Sequence, residues 1–238
     1  MKVGIMQPYF FPYLGYISLV KHTDRFIFLD DVQFIRHGWI ERNRILKPAG
    51  EWQYISVPLN KKTFTTKIKN VEINNNSDWK GKIIRQLEHY KKRAPFYKDT
   101  IAVVDDALSI ETNSIVELNS HALKSVCSYL NIKTDISIFS NLGMEIETPN
   151  EPDDWAVNIC KEIKGVTQYW NPIGGMSFFN KEKYHDAGIE LIFHNVNLLP
   201  YNQLNRLADF EAGLSIIDSM MFNSPDELNK MLDNYECL

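Results

Sequence analysis

The sequence predicts an α/β fold: a mostly parallel sheet flanked by helices, with a nucleotide-binding-like amino-terminal unit and a helical carboxyl-terminal part. Three observations predict it. Residues 2–29 read strand, loop, helix, strand, which is the opening of an α/β unit; short apolar runs and amphipathic stretches then alternate as far as residue 194; and residues 213–234 read as two helices.

Lys2 to Gln7 is a short apolar run of strand length, and Leu14 to His22 has Leu14, Ile17 and the Lys21 stem on one helical face. Arg25 to Leu29 reads as the second strand and ends at Asp30-Asp31. Residues 32–50 are polar and irregular, and a strand follows at Trp52 to Val57. Helical spacing returns in Trp79 to Arg93, through Trp79, Ile83, Leu87 and Tyr90, and in Asn113 to Leu130, through Ile115, Leu118, Ala122 and Val126. Thr134 to Ser140, Val166 to Trp170 and Ile189 to His194 read as strands. Asp153 to Lys164 reads as a helix, as do Gly213 to Asn223 and Pro225 to Asn234. The chain is expected to be one domain over 1–238, with the acidic, proline-containing stretch 141–152 as the place where it could divide.

No apolar run approaches the roughly 20 residues of a membrane span, and none near the start has signal-peptide length, so a cytoplasmic protein is expected. Cys127, Cys160 and Cys237 are odd in number and widely spaced, which suits reduced thiols and provides no zinc spacing. Charge is distributed unevenly. Residues 1–100 carry 18 Lys and Arg against 9 Asp and Glu, whereas residues 101–238 carry 8 against 21. The basic half favours an anionic ligand, with a phosphorylated small molecule ahead of nucleic acid because no nucleic-acid motif accompanies the charge. Against that, Lys61, Lys62, Lys67, Lys69, Lys91 and Lys92 could equally form a solvated coat.

Two features converge where the first strands end. The loop after the first strand holds Tyr9, Phe10, Phe11 and Tyr13 between Pro8 and Pro12, where an ordinary turn uses Gly, Asn, Asp or Ser. The second strand runs into Asp30-Asp31, then Gln33, Arg36, His37, Trp39, Arg42, Asn43 and Arg44. In α/β sheets ligands collect at the carboxyl ends of strands. The candidate site therefore has His37 as general base, with Asp30 or Asp31 to orient it or to bind a sugar hydroxyl or amine, and Gln7, Tyr9, Tyr13, Gln33, Arg36, Trp39, Arg42, Asn43 and Arg44 as substrate-binding residues. The Asp pair could instead cap a turn, and the arginines could pair with surface acids. The loop Asn171 to Ser177 precedes a short helix, and the backbone amides of its Gly174-Gly175 could meet an anion, although a plain turn has the same composition. His121 and Cys127 do not face each other at helical spacing, and His185 and His194 have no companions at metal-ligand spacing.

The run from Gln7 to Tyr16, the segment from Asp31 through Trp39 to Arg44, and the strand from Trp52 to Pro58 resemble the WbqC-like proteins, as do Asn171 to Phe179, Tyr201-Asn-Gln203 and Leu214 to Asp218. The resemblance spans nearly the whole chain. It implies bacterial surface-polysaccharide (O-antigen) biosynthesis and acyl or aminoacyl transfer to the amine of a nucleotide-activated amino sugar. His37, oriented by Asp31, would take the amine proton, while Gln33, Asn43 or backbone amides would stabilise the oxyanion. The donor would be an acyl thioester, on coenzyme A or an acyl carrier protein, or an activated amino acid. A fainter similarity is to nucleotidylyltransferases, whose His-x-Gly-His pattern is replaced here by Tyr13-Leu14-Gly15-Tyr16. The competing class is a non-catalytic module that binds a glycan or a carrier protein.

Overall fold

A computed structural model of the chain describes residues 1–204 and 210–238. In chain order the elements are β1 (Lys2–Met6), α1 (Leu14–Lys21), β2 (Arg25–Phe28), β3 (Arg42–Lys47), β4 (Gly50–Ser56), α2 (Trp79–Leu87), α3 (Tyr97–Ser109) and α4 (Ile115–Tyr129). They continue with β5 (Asp135–Ile138), α5 (Asp154–Glu162), β6 (Gln168–Pro172), α6 (Lys181–Asp186), β7 (Glu190–Val196), α7 (Ile216–Phe222), α8 (Pro225–Leu232) and β8 (Tyr235–Cys237). Six strands form one sheet in the order β5-β2-β1-β6-β7-β8. All pairings are parallel except the last, in which β8 runs antiparallel along β7. The predicted α/β class is the observed one.

Strand alternation sends successive side chains to opposite faces and builds two cores. Phe26, Phe28 and Trp170 face α1, α4, α7 and α8. Val3, Ile5, Ile27, Tyr169, Leu191 and Phe193 face α5 and α6, where Val157, Ile159, Cys160 and Tyr184 meet them. Position 4, on the α1 side of β1, suits glycine because a Cβ there would come within 2.9 Å of the Phe26 ring.

Three elements depart from the sequence reading. The polar stretch 32–50 contains β3, which pairs antiparallel with β4 to make a separate hairpin. Its arginines obscure the strand pattern, yet Arg42 lies 4.3 Å from the Tyr54 ring centroid and Arg44 lies 5.3 Å from that of Trp52, so the charged residues of β3 cover the aromatics of β4. Helix α3, which the sequence reading leaves out, buries Thr100, Val104, Ala107 and Leu108 behind an acidic exposed face. Strand β8 is three residues long, too short to show a periodicity.

Candidate ligand cleft

The chain leaves β1 towards β2 on one side and returns from β5 to β6 on the other, so the strand order reverses between the parallel neighbours β1 and β6. A crevice opens outside the carboxyl ends of parallel strands at such a point because the flanking connections diverge. The structure has a cleft of about 1400 Å³ there. Its floor includes Met6, Gln7, Leu29 and Asn171. One wall carries Tyr9, Tyr13, Trp39, Gln33, Arg36, Phe64 and Lys67, and the other Glu151, Trp155, Gly174, Gly175, Phe178 and Phe179.

The aromatic loop divides its rings between core and cleft. Phe10 and Phe11 are fully buried, and only Tyr9 and Tyr13 reach the cavity. Tyr9 stacks on Trp39, with centroids 5.8 Å apart at 20°, and meets Tyr16 edge-on; the Tyr16 hydroxyl donates to the Gln7 carbonyl at 2.9 Å. Burial raises the pKa values of both Tyr9 and Tyr13, and at Tyr9 the neighbouring Tyr13 adds to the rise. Both are therefore neutral phenols near neutral pH, able to donate a hydrogen bond.

Asn43 fixes the back of this wall. Its buried Nδ2 donates to the Phe11 carbonyl at 2.6 Å and the Phe10 carbonyl at 3.2 Å, while its Oδ1 accepts from the Arg44 amide at 2.7 Å. Ser215 Oγ also donates to Phe11 O, at 2.8 Å, which ties the loop to the start of α7. Arg42 donates to the carbonyls of His37 and Gly38, at 2.6 and 3.2 Å, and so holds the 35–39 turn. Arg44 reaches Gly213 O at 3.3 Å and Glu211 at 3.6 Å. Arg42, Asn43 and Arg44 thus sit behind the wall and do not line the cavity. Asn43→Ala is expected to lower unfolding free energy by about 2 kcal/mol, because buried partners are left unsatisfied; urea denaturation reads this directly.

The two aspartates part at the end of β2. Asp30 is buried and accepts from Ser140, from its amide at 3.0 Å and its hydroxyl at 2.5 Å, joining the ends of β2 and β5. Asp31 lines the cleft, with Lys67 Nζ at 3.0 Å and Lys69 Nζ at 2.6 Å. Burial pushes its pKa upward, but the two ammonium groups outweigh this and hold it below the usual carboxylate value. Asp31 is therefore partnered by lysines rather than by His37. His37 itself is exposed between the lining residues Arg36 and Gly38, with φ at +61°, a left-handed conformation uncommon for a residue with a side chain.

Across the cleft, Gly175 is a steric necessity and Gly174 is not. A Cβ on Gly175 would collide with Asn171 Oδ1 and come within 3.0 Å of the Phe179 ring, whereas one on Gly174 would meet nothing within 4 Å. Asn171 in turn donates to the Tyr169 hydroxyl at 2.7 Å on the cleft floor. Gly175→Ala is expected to lower the melting temperature and Gly174→Ala to leave it unchanged, as a thermal melt of each would show. Beside this wall, Lys183 Nζ lies 2.8 Å from Glu151, 2.8 Å from Asp153 and 2.7 Å from Asp154. These three carboxylates raise the Lys183 pKa.

Sequence reasoning did not single out Lys67, Phe64, Glu151 or Trp155. Lys67 and Phe64 belong to the lysine-rich stretch read as a possible solvated coat, and Trp155 falls at the start of a helix whose periodicity suggests only core. The later motif residues Tyr201, Gln203 and Asp218 are outside the cleft: the buried Asp218 carboxylate accepts from Tyr90 and Tyr201, each at 2.7 Å, and from Gln203 at 2.9 Å.

Fold and cleft together define a parallel α/β protein with an aromatic-walled cleft at the switch point of its sheet. The chain belongs to the WbqC-like protein family, whose model matches residues 7–230. It is similar to "Uncharacterized protein Rv1507c" of Mycobacterium tuberculosis, with 29% identity over 234 residues, covering 95% of this chain and 97% of the relative. No solved structure matches the chain. Among the described residues, no helix is long and apolar enough to cross a membrane.

Proposed function

We propose that the cleft binds a nucleotide-activated amino sugar and that the protein is a cytoplasmic enzyme of bacterial surface-polysaccharide (O-antigen) biosynthesis, transferring an acyl or aminoacyl group to the sugar amine. The observation that carries this reading is the pairing of aromatic walls with two cations, Arg36 and Lys67, in one cavity at the switch point. Rings such as Tyr9 and Trp39 suit the flat faces of a base or sugar, and a guanidinium with an ammonium suits a diphosphate. With a thioester donor, the amine nitrogen attacks the carbonyl, the C–N bond forms, the C–S bond breaks, and the amine proton passes by way of a base to the departing thiolate.

In this reading His37 is the base, approaching from the rim. Its left-handed backbone, held by the Arg42 bond to its carbonyl, is the kind of local strain found at working sites. His37→Ala is expected to abolish turnover of an amino-sugar nucleotide while leaving its binding intact, and unchanged turnover would remove the assignment. Binding is read by thermal shift, since a ligand at about 100 times its Kd stabilises by roughly 2.7 kcal/mol. A non-catalytic module is the second reading, favoured by the lack of any histidine or cysteine among the described cleft-lining residues. A thermal shift with nucleotide sugars, but no transfer with any donor class, would favour it.

A further inference from the structure

The exposed apolar surface gathers at the cleft mouth. Ile35, Trp39 and Phe64 stand exposed on one rim, Phe64 at 72%, and Phe178 is exposed on the other, with Ile173 and Met176 in the turn that carries the lining Gly174 and Gly175. Only three other large apolar side chains are exposed among the described residues. Patches of this kind at an opening mark a surface that meets a partner.

The rim bearing Phe64 is also basic. Segments 33–36 and 61–67 form one lobe, joined by the Phe34 amide to Thr66 O at 2.9 Å and by Gln33 Nε2 to Phe64 O at 2.5 Å. Lys62 Nζ sits 4.5 Å from the Phe34 ring centroid. Lys67 and Lys69 are engaged by Asp31, whereas Lys61 and Lys62 make no ion pair among the described residues. Lys61 is exposed, and Lys62, half-buried over Phe34, adds its charge beside it, so this rim is positive toward an acidic partner.

The distribution of cations separates the possible donors. Within the cleft the described lining residues include only two cations, Arg36 and Lys67, of which Lys67 is already paired with Asp31, so the diphosphate of a sugar nucleotide would exhaust the positive charge there. A coenzyme A donor would bring a second diphosphate and a further phosphate into a cavity with nothing left to neutralise them, which is unfavourable away from water. A thioester on a carrier protein avoids that burial. Its neutral arm would enter between the aromatic walls while its acidic surface and arm phosphate stayed at the mouth, near Lys61 and Lys62.

We propose that the acyl donor is presented by an acidic carrier protein docked on the cleft mouth through Phe64, Ile35, Lys61 and Lys62. This rests on the acyl-transfer reading above. The test uses a fluorescently labelled bacterial holo-acyl carrier protein and measures anisotropy with the full chain at low and high salt, alongside the Lys61→Glu/Lys62→Glu double variant. Expected are saturable binding at low salt, weakening by about tenfold or more both in high salt and in the double variant, and no competition by free coenzyme A. The double variant should retain its thermal shift with nucleotide sugars, and Lys61→Glu alone, at an exposed side chain, should retain the wild-type melting temperature while still weakening carrier binding.

Absent carrier binding, or binding indifferent to the charge reversal, would overturn the proposal. Competition by coenzyme A would assign the donor to a diffusible thioester. Co-sedimentation with phosphatidylcholine–phosphatidylglycerol vesicles, lost in the double variant and without carrier binding, would assign the surface to lipid instead. Carrier binding by a wild-type chain that shows no nucleotide-sugar shift would reject the substrate reading while leaving the docking surface standing.

Discussion

Asp218→Ala is expected to destabilise the protein by about 3–5 kcal/mol, a large share of the roughly 5–15 kcal/mol typical of a folded domain. The carboxylate is fully buried at the start of α7 and collects three donors, the hydroxyls of Tyr90 and Tyr201 and the amide of Gln203. The Tyr90 hydroxyl oxygen also accepts from the Leu46 amide at 2.9 Å, which ties the network to β3. Removing the shared acceptor leaves the buried Tyr90 hydroxyl without an acceptor, reduces Tyr201 to Ser219 and Gln203 to Glu211 O and the Tyr201 hydroxyl, and breaks the Tyr90 link between α7 and β3. Urea denaturation of the variant measures the loss. A change below about 1 kcal/mol would mean that these donors find other acceptors.

A second pair of substitutions is expected to expose two opposed pH dependences that mask each other in the wild type. Burial raises the Asp218 pKa from an ordinary 3.8 to about 6, although the bonds from Tyr90, Tyr201 and Gln203 pull the other way. Between those values the folded chain holds a proton that the unfolded chain has released. The contribution is therefore complete below about 3.8 and is lost as pH rises through about 6, a swing of ~3 kcal/mol. His194 behaves oppositely. Burial, and then the charge of His22, lower its pKa from 6.5 to about 4, so as pH falls the unfolded chain takes up the proton first.

The His194 contribution is complete above about 6.5 and is lost as pH falls through about 4, again a swing of ~3 kcal/mol. The geometry agrees with a neutral ring. Ser18 Oγ donates to Leu232 O at 2.5 Å and so accepts from His194 Nε2 at 2.8 Å, which leaves Nδ1 as the buried, unpartnered nitrogen. From about pH 6.5 to pH 4 these two groups nearly cancel in the wild type. Asp218→Asn should lose stability steadily on acidification over that interval, and His194→Gln should gain it. Denaturation midpoints at several pH values decide the matter, and parallel profiles for all three proteins would reject both assignments.

Much of the fold was legible because helices and strands are set by periodicities within a few residues. Ile83 and Leu87 repeat at helical spacing in α2, and the caps of α4 and α8, Ser114 and Ser224, accept from Glu117 and Glu227 amides three residues on. The site was legible in part. Tyr9, Tyr13, Gln33, Arg36 and Trp39 are cleft residues in the structure as in the sequence reading, because an aromatic loop after a first strand and a polar run after a second both fall at the carboxyl edge of a parallel sheet. What blurred the rest was β3, where charged side chains pack over aromatics and hide a strand inside a stretch that reads as loop.

The α/β class, the order of most elements and the edge of the sheet at which the aromatic loop and the Asp pair meet all follow from local spacing and turn composition. Which polar groups line the cavity depends on long-range packing. Asp30 and Asp31 are neighbours of the same type, yet one anchors Ser140 and the other faces Lys67 and Lys69 in the cleft. Likewise Arg36 and Lys67 line the cavity while Arg42 and Arg44 brace it from behind. A side chain's role here depends on which distant acceptor or ring the sheet order brings within hydrogen-bonding or stacking reach, and that proximity is a long-range property which residue type and spacing along the chain do not encode locally.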